Sequence, residues 1–231
     1  STTLPRGRPP MPSAQSRPTL PVGITETGAA STGASSSSMI APFPNCLWIV
    51  SMALRKARAD QLQQPLPAEQ EAQAQKAIKN SDNDSADALW TWAGARPSYD
   101  ALAKDLGLKN THSAQEKDFW SWTWTTPIDQ RSFLQQLVKG DTKALTDGER
   151  TYLLGLMGQV EEDQAWGVGT PRSAAVKVQL KNGWVQFQST DNLWAVNSIG
   201  HVSGDGRDYL LTIVTRTPTF DEGRAYCSAI G

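Results

Sequence analysis

The sequence predicts an α+β fold in which a helical lobe packs with an antiparallel β-sheet flanked by helices. Two observations lead to this prediction. Residues 47–160 carry apolar side chains mostly at helical spacing, whereas the chain after Trp166 changes to alternating, β-branched segments separated by turn residues. The 231 residues are sufficient for one substantial core together with a flexible segment.

Residues 1–45 differ in composition from the rest of the chain. Ser, Thr, Pro and Gly dominate, residues 35–38 are all serine, and no apolar periodicity appears. We therefore expect a disordered or non-native arm at residues 1–45 and one globular domain at residues 46–231. The abrupt change suggests an altered reading frame, a misplaced start or a fusion as the origin of the arm.

Helix signals fill the first part of this domain. Thr126 is placed to cap a helix that has Pro127 at its first position and ends at Gly140, and Thr146 with Glu149 forms a capping box for the next helix. The helix after this capping box should span residues 150–160, and the other helices that we expect are 47–56, 69–79, 85–93 and 98–106.

Strand signals follow. Apolar, β-branched segments at 176–180, 194–199 and 209–215 predict three antiparallel strands, and residues 221–230 predict a closing helix. Two links have the composition of hairpin turns. They are Lys181-Asn182-Gly183 and Gly204-Asp205-Gly206-Arg207.

Composition excludes several classes of function. A net charge of −1 gives no reason to expect a nucleic-acid partner. His112 and His201 stand alone and only two cysteines occur, so we expect neither a metal site nor a cofactor. No apolar run approaches the roughly 20 residues of a membrane span, and residues 47–54 are too short and too far along the chain for a secretory signal. Whether Cys46 and Cys227 pair stays open.

Two short motifs carry the chemistry. Residues 81–83, Ser-Asp-Asn, place a hydroxyl and an amide at the edge of a helix, and residues 181–183, Lys-Asn-Gly, place an ammonium group and a glycine at the end of a strand. Serine enzymes that open an amide in a carboxylated substrate need such a proton shuttle, orienting amide and cation around one cleft.

With Thr125-Thr126-Pro127 between them, these motifs resemble those of class A β-lactamases and their penicillin-binding-protein relatives. The resemblance runs from about Leu47 to the C-terminus. It implies a monomeric serine hydrolase, secreted or held in the cell envelope and linked to antibiotic resistance. Such an enzyme opens a small-molecule β-lactam, or a cell-wall peptide, through an acyl-serine.

The resemblance also implies roles for the first motif. Ser81 would relay a proton to the leaving nitrogen, Asn83 would hydrogen-bond the side-chain amide of the substrate, and Asp82 would brace the loop. The ordinary structural reading, in which Ser81 and Asp82 only cap a helix, stays open.

In the second motif, Lys181 would keep Ser81 poised and attract the substrate carboxylate. Gly183 would let the strand approach the ligand, and Asn182 would take the substrate-binding position where the family usually has Thr or Ser. The ordinary reading here is a hairpin turn with a solvated lysine.

The nucleophile of the family is not identifiable in this sequence. It is the serine of Ser-x-x-Lys, and no serine of this chain is followed by lysine three residues later. The resemblance would place these two residues near Phe43 and Cys46, so we expect little or no turnover. Glu116 is a candidate deacylation base, although its surroundings do not match the Glu-x-x-Leu-Asn motif of the family.

Two further features have alternative interpretations. Cys46, at a helix start, could be a thiol nucleophile or a small buried side chain. Trp120, Trp122 and Trp124 alternate, so they could form a stacking wall or a packed edge. The alternative function is accordingly a non-catalytic protein that binds cell-wall peptides or glycans, with Lys181 and the tryptophans as anchors.

Overall fold

The computed structural model describes residues 23–26, 39–40, 45–114, 119–186 and 192–231. Its helices are α1 (Asn45–Ala59), α2 (Ala68–Lys79), α3 (Asn83–Trp92), α4 (Ala95–Asp105), α5 (Pro127–Lys139), α6 (Asp147–Met157) and α7 (Phe220–Ile230). Its strands are β1 (Gly23–Glu26), β2 (Met39–Ile40), β3 (His112–Ser113), β4 (Thr123–Thr125), β5 (Lys177–Gln186), β6 (Trp194–Gly204) and β7 (Arg207–Thr217). The α+β prediction is confirmed.

The strands form two antiparallel sheets. The larger has the order β1-β7-β6-β5, and the smaller has the order β2-β4-β3. Helix α7 packs on β6 and β7, whereas α6 connects β5 to the helical lobe built from α1 to α4. Helix α5 contacts β6 and β7 and reaches the lobe through Phe133 and Gln130, which contact Trp48 of α1. The centre of that lobe is α1, where Trp48 is fully buried with ring centroids 5.0 Å from Tyr99 and 4.7 Å from Phe133.

Local sequence signals define both ends of α5 and the N-cap of α6. The Thr126 side chain accepts a hydrogen bond from the backbone N–H of Asp129, and α5 ends at Gly140 in the left-handed conformation. Both halves of the capping box between Thr146 and Glu149 are present at α6. The hairpin at residues 204–207 also forms as expected, between β6 and β7.

Lys181-Asn182-Gly183 is not a hairpin turn, contrary to the prediction. Strand β5 runs through it without interruption, and the three residues pair with Ile199, Ser198 and Asn197 of β6. Asn-Gly favours a turn only when the chain reverses there, and ten consecutive pairings with β6 override that preference.

The low-complexity segment contains two strands that its composition does not indicate. Gly23–Glu26 pairs with β7 at the edge of the larger sheet, and Met39–Ile40 pairs with β4 in the smaller sheet. The division at residue 46 stays a prediction.

Within the described ranges, no helix has the length and apolar character needed to cross a bilayer. The same part of the chain contains no group of His, Cys, Asp and Glu side chains that could hold a metal ion.

Candidate active site

Strand β5 directs Lys181 toward the helical lobe. Successive side chains of a strand point to opposite faces of the sheet, so Lys181 and Asn182 diverge. Asn182 faces away from the lobe, where its amide nitrogen donates to the carbonyls of Gln164 (2.8 Å) and Trp166 (3.0 Å). A contact between Asn182 and a substrate stays a prediction. The amide nitrogen is already engaged by these two carbonyls and does not make that contact.

Ser81 reaches the same place from the helical lobe. It lies directly before α3, whose N-cap is Asp82, and it has a φ of 55°. A positive φ is uncommon for a residue with a side chain, and such conformations concentrate at functional sites. The Asp82 side chain accepts a hydrogen bond of 2.8 Å from the Ser85 N–H, and this bond lowers the pKa of Asp82. The cap therefore anchors the turn that presents Ser81.

The structure brings Ser81 and Lys181 together although 100 positions separate them in the sequence. The Lys181 ammonium donates to the Ser81 hydroxyl and, at 2.8 Å, to the backbone carbonyl of Asn182. Lys181 is 1% exposed, and no carboxylate among the described residues pairs with it. Burial accordingly lowers the pKa of Lys181 below its ordinary value.

These side chains border a cavity of about 370 Å³ between the lobe and the sheet. Its walls are the start of α1 with Asn45 and Cys46, the α3 side with Ser81, Asn83 and Asp87, the segment 119–121, and residues 181–185 of β5. Asn83 is exposed on the first turn of α3, and Gly183 lies on the wall formed by β5. The residues predicted from the two motifs therefore share one cavity.

A second cavity, of about 470 Å³, lies between α1 and α4. Its arginines already have acidic partners, since Arg55 pairs with Asp105 and Arg58 pairs with Glu149 at 2.9 Å. The cavity beside Lys181 is the better candidate because its cation has no such partner among the described residues.

The start of α1 carries no hydroxyl. Asn45 is 1% exposed, and its amide nitrogen donates to the Trp120 carbonyl (2.6 Å) and to the Thr123 hydroxyl (3.1 Å). Cys46 borders the cavity and is 6% exposed. Burial raises the pKa of its thiol, an effect that exceeds the opposing influence of the nearby Lys181 ammonium. These residues do not supply the serine expected at this position.

Sequence reasoning missed three polar members of the cavity wall: Asn45, Asp87 and Ser121. Asp87 could have been found, because it lies one helical turn after Asn83 on the same face of α3. Asn45 and Ser121 carry no comparable local signal.

The three alternating tryptophans do not form one wall. Trp120 lies in a turn beside the cavity and its indole N–H donates to Asp87, whereas Trp124 stacks on His112 with ring centroids 6.1 Å apart. In this segment only Thr123–Thr125 is extended, so the alternation of side chains typical of a strand does not extend back to Trp120 and Trp122.

Two remaining predictions concern Glu116 and the cysteines. Glu116 lies outside the described residues. Cys46 and Cys227 are both buried and free.

Comparison with known proteins agrees with the motifs. The profile of the beta-lactamase enzyme family matches residues 60–231, so the chain belongs to that family. The resemblance predicted from the sequence is confirmed at the level of a class A β-lactamase-like fold. A search of curated proteins returned no match.

Solved structures share this architecture at low sequence identity. TLA-3 extended-spectrum beta-lactamase superposes with a TM-score of 0.72 at 16% identity, covering 91% of this chain and 90% of that one. The class A beta-lactamase from Mycobacterium abscessus gives 0.70 at 17%, covering 91% of each chain. PBP-A gives 0.72 at 15%, covering 93% and 88%. Likeness at these identities establishes the fold.

Proposed function

We propose that this chain is a β-lactamase-like serine hydrolase whose cleft recognises carboxylate-bearing amides, namely β-lactams or cell-wall peptides, with little or no turnover. The observation that carries the proposal is the buried Lys181, hydrogen-bonded to Ser81 at the wall of an open cavity. The family and the fold support the reaction class.

Lys181 explains why the ligand would carry a carboxylate. A buried ammonium group without a counter-charge is costly, and an anionic ligand would supply that charge. Ser81, already hydrogen-bonded to Lys181, would stand beside the scissile amide, and Asn83 would offer its side-chain amide from α3.

We expect low turnover because the start of α1 does not carry the serine nucleophile of the family. Acyl-serine formation in the family uses Ser-x-x-Lys, which is absent from this sequence. Asn45 and Cys46 occupy the helix start, where Asn45 is engaged by the 120–123 segment.

Reversible binding without hydrolysis is the second candidate. The observation that favours it is Phe119, an aromatic side chain at the cavity wall that is 62% exposed. Aromatic surface of this kind packs against the apolar parts of peptides or the faces of sugars.

A fluorescent penicillin and a chromogenic cephalosporin test both candidates. We expect saturable binding by fluorescence anisotropy, and in Lys181→Met a weakening of about 30-fold, equivalent to roughly 2 kcal/mol for loss of a charge partner. Lys181→Arg is the matched control, because it keeps the positive charge. Equal binding by wild type and Lys181→Met would contradict the proposal.

The two candidates are then separated by covalent chemistry. Hydrolysis of the cephalosporin, or a label that survives denaturation, supports the hydrolase, whereas reversible binding alone supports the binding protein. Export, a monomeric state and a contribution to antibiotic resistance stay predictions from the family.

A further inference from the structure

We propose that Ser81 and Lys181 act as a nucleophile and its general base, so that the cleft also accepts short, uncharged acyl esters and carries their acyl group on Ser81. The inference concerns the same cavity as the proposed function. It rests on that function only for the expectation that ligand carboxylates bind Lys181.

The pair has the contacts that such a mechanism needs. An activated serine requires a base within hydrogen-bonding reach, and the base must be oriented by a third group. Lys181 Nζ contacts the Ser81 hydroxyl, and the Asn182 carbonyl, 2.8 Å away, orients the amine. In the neutral form one N–H donates to that carbonyl while the lone pair accepts the proton of Ser81.

The surroundings of Lys181 favour the neutral amine. The side chain is 1% exposed, and within the described residues its partners are a hydroxyl and a carbonyl rather than a carboxylate. Burial therefore lowers the pKa of Lys181, which raises the fraction of amine able to accept a proton near neutral pH.

Ser81 is the hydroxyl that the backbone holds in place. Its φ of 55° and the Asp82 cap fix the turn before α3, and the side chain is half-buried at the cavity wall. Ser121 borders the same cavity, but in the described part of the chain Lys181 donates its hydrogen bonds to Ser81 and the Asn182 carbonyl rather than to Ser121.

The reaction balances without any group beyond ester and water. Ser81 Oγ attacks the ester carbonyl carbon and its proton passes to Lys181 Nζ. The C–O bond to the leaving alkoxide breaks, and that oxygen takes the proton from Lys181. Water then repeats the sequence, giving its proton to Lys181, releasing the carboxylic acid and restoring the Ser81 hydroxyl.

Charge determines which substrates react. A ligand carboxylate beside Nζ stabilises the ammonium form, which cannot accept a proton. An uncharged ester leaves the amine free, so the same lysine would bind anionic ligands and activate Ser81 toward neutral ones. Carboxylated β-lactams should consequently inhibit the esterase reaction.

The test uses p-nitrophenyl acetate with the full chain, followed by intact mass and peptide mapping. We expect one acetyl group on Ser81, removed by neutral hydroxylamine because it is an ester rather than a lysine amide. The modification should be absent in Ser81→Ala and present in Ser121→Ala. In Lys181→Arg, which cannot act as a base, the acylation rate should fall about 100-fold.

The pH dependence of the acylation rate can be measured on the wild-type protein alone. The rate should rise with pH until Lys181 is deprotonated and then level off, so the test stands even if Lys181→Arg does not fold. Circular dichroism establishes that each variant is folded. Equal acetylation of wild type and Ser81→Ala, or an acetyl group resistant to hydroxylamine, would overturn the inference.

Failure of the inference and failure of the proposed function remain distinguishable. Penicillin binding without acetylation of Ser81 refutes the inference alone. Acetylation of Ser81 that penicillin does not inhibit, in a protein that does not bind penicillin, refutes the proposed function alone.

Discussion

The two walls of the cleft, formed by α1 and by β5, differ in the partners of their buried polar side chains. Asn45 on α1 and Lys181 on β5 are each 1% exposed. The Asn45 amide is hydrogen-bonded to the 120–123 segment. In contrast, the Lys181 amine is buried and has no carboxylate partner among the described residues.

This difference separates structure from function. A satisfied buried amide stabilises the fold, while a buried amine without a counter-charge costs stability. The wall formed by β5 and Ser81 contains the Lys181 amine, which lowers stability but can take part in proton transfer. The α1 wall holds the adjacent 120–123 segment in place and presents no hydroxyl.

Substitution of Asn45 should have the largest effect on stability. Asn45→Ala leaves the Trp120 carbonyl and the Thr123 hydroxyl without this partner, so we expect a loss of about 3 kcal/mol in the free energy of unfolding. Urea denaturation measures it. Asn83→Ala, at an exposed position of the same cavity, should change stability by no more than about 0.5 kcal/mol. An unchanged Asn45→Ala would remove the contrast between the walls.

The cost of burying Lys181 should depend on pH. Its folded-state pKa lies below the ordinary 10.5. Between these two pKa values the unfolded chain binds more protons, so the free energy of unfolding rises with pH. Lys181→Met lacks this contribution, and its stability relative to wild type should therefore be greatest below the folded-state pKa and decline toward about pH 10.5. Urea denaturation from neutral to alkaline pH checks the trend. A pH-independent difference would contradict it.

The cap that holds Ser81 should have a smaller effect. Asp82→Ala removes the acceptor of the Ser85 N–H and should cost about 1 kcal/mol, whereas Asp82→Asn, an equally good cap, should cost little. Because the folded-state pKa of Asp82 is lowered, its contribution is complete above the unfolded value of 3.8 and is lost as pH falls through the folded value. Thermal denaturation at neutral and acidic pH tests both points. A defect equal in the two variants would argue against capping.

Cys46 should matter least to the chemistry. Burial raises the pKa of its thiol, so we expect slow alkylation by iodoacetamide in the folded protein and unchanged Ser81 acetylation in Cys46→Ala. Peptide mapping after labelling measures both. An acyl group found on Cys46 would reassign the nucleophile to the α1 wall.

Local signals predicted most of the helices but not the strand pairings. The start of α5 at Pro127 and the capping box at Thr146 depend on neighbouring residues, and both form as expected. Asn-Gly locally favours a turn at Gly183, yet pairing with β6 keeps this residue in β5. The partners that create β1 and β2 are distant in sequence, so no local pattern indicates them.

Residue order and nearby contacts were sufficient to predict the α+β class, the family and the caps of α5 and α6. Contacts between distant elements were needed to show that Ser81 and Lys181 meet, that Asn182 turns away from them, and that Asn45 joins the 120–123 segment. The physical reason is that the direction of a side chain depends on strand register and on packing between distant elements.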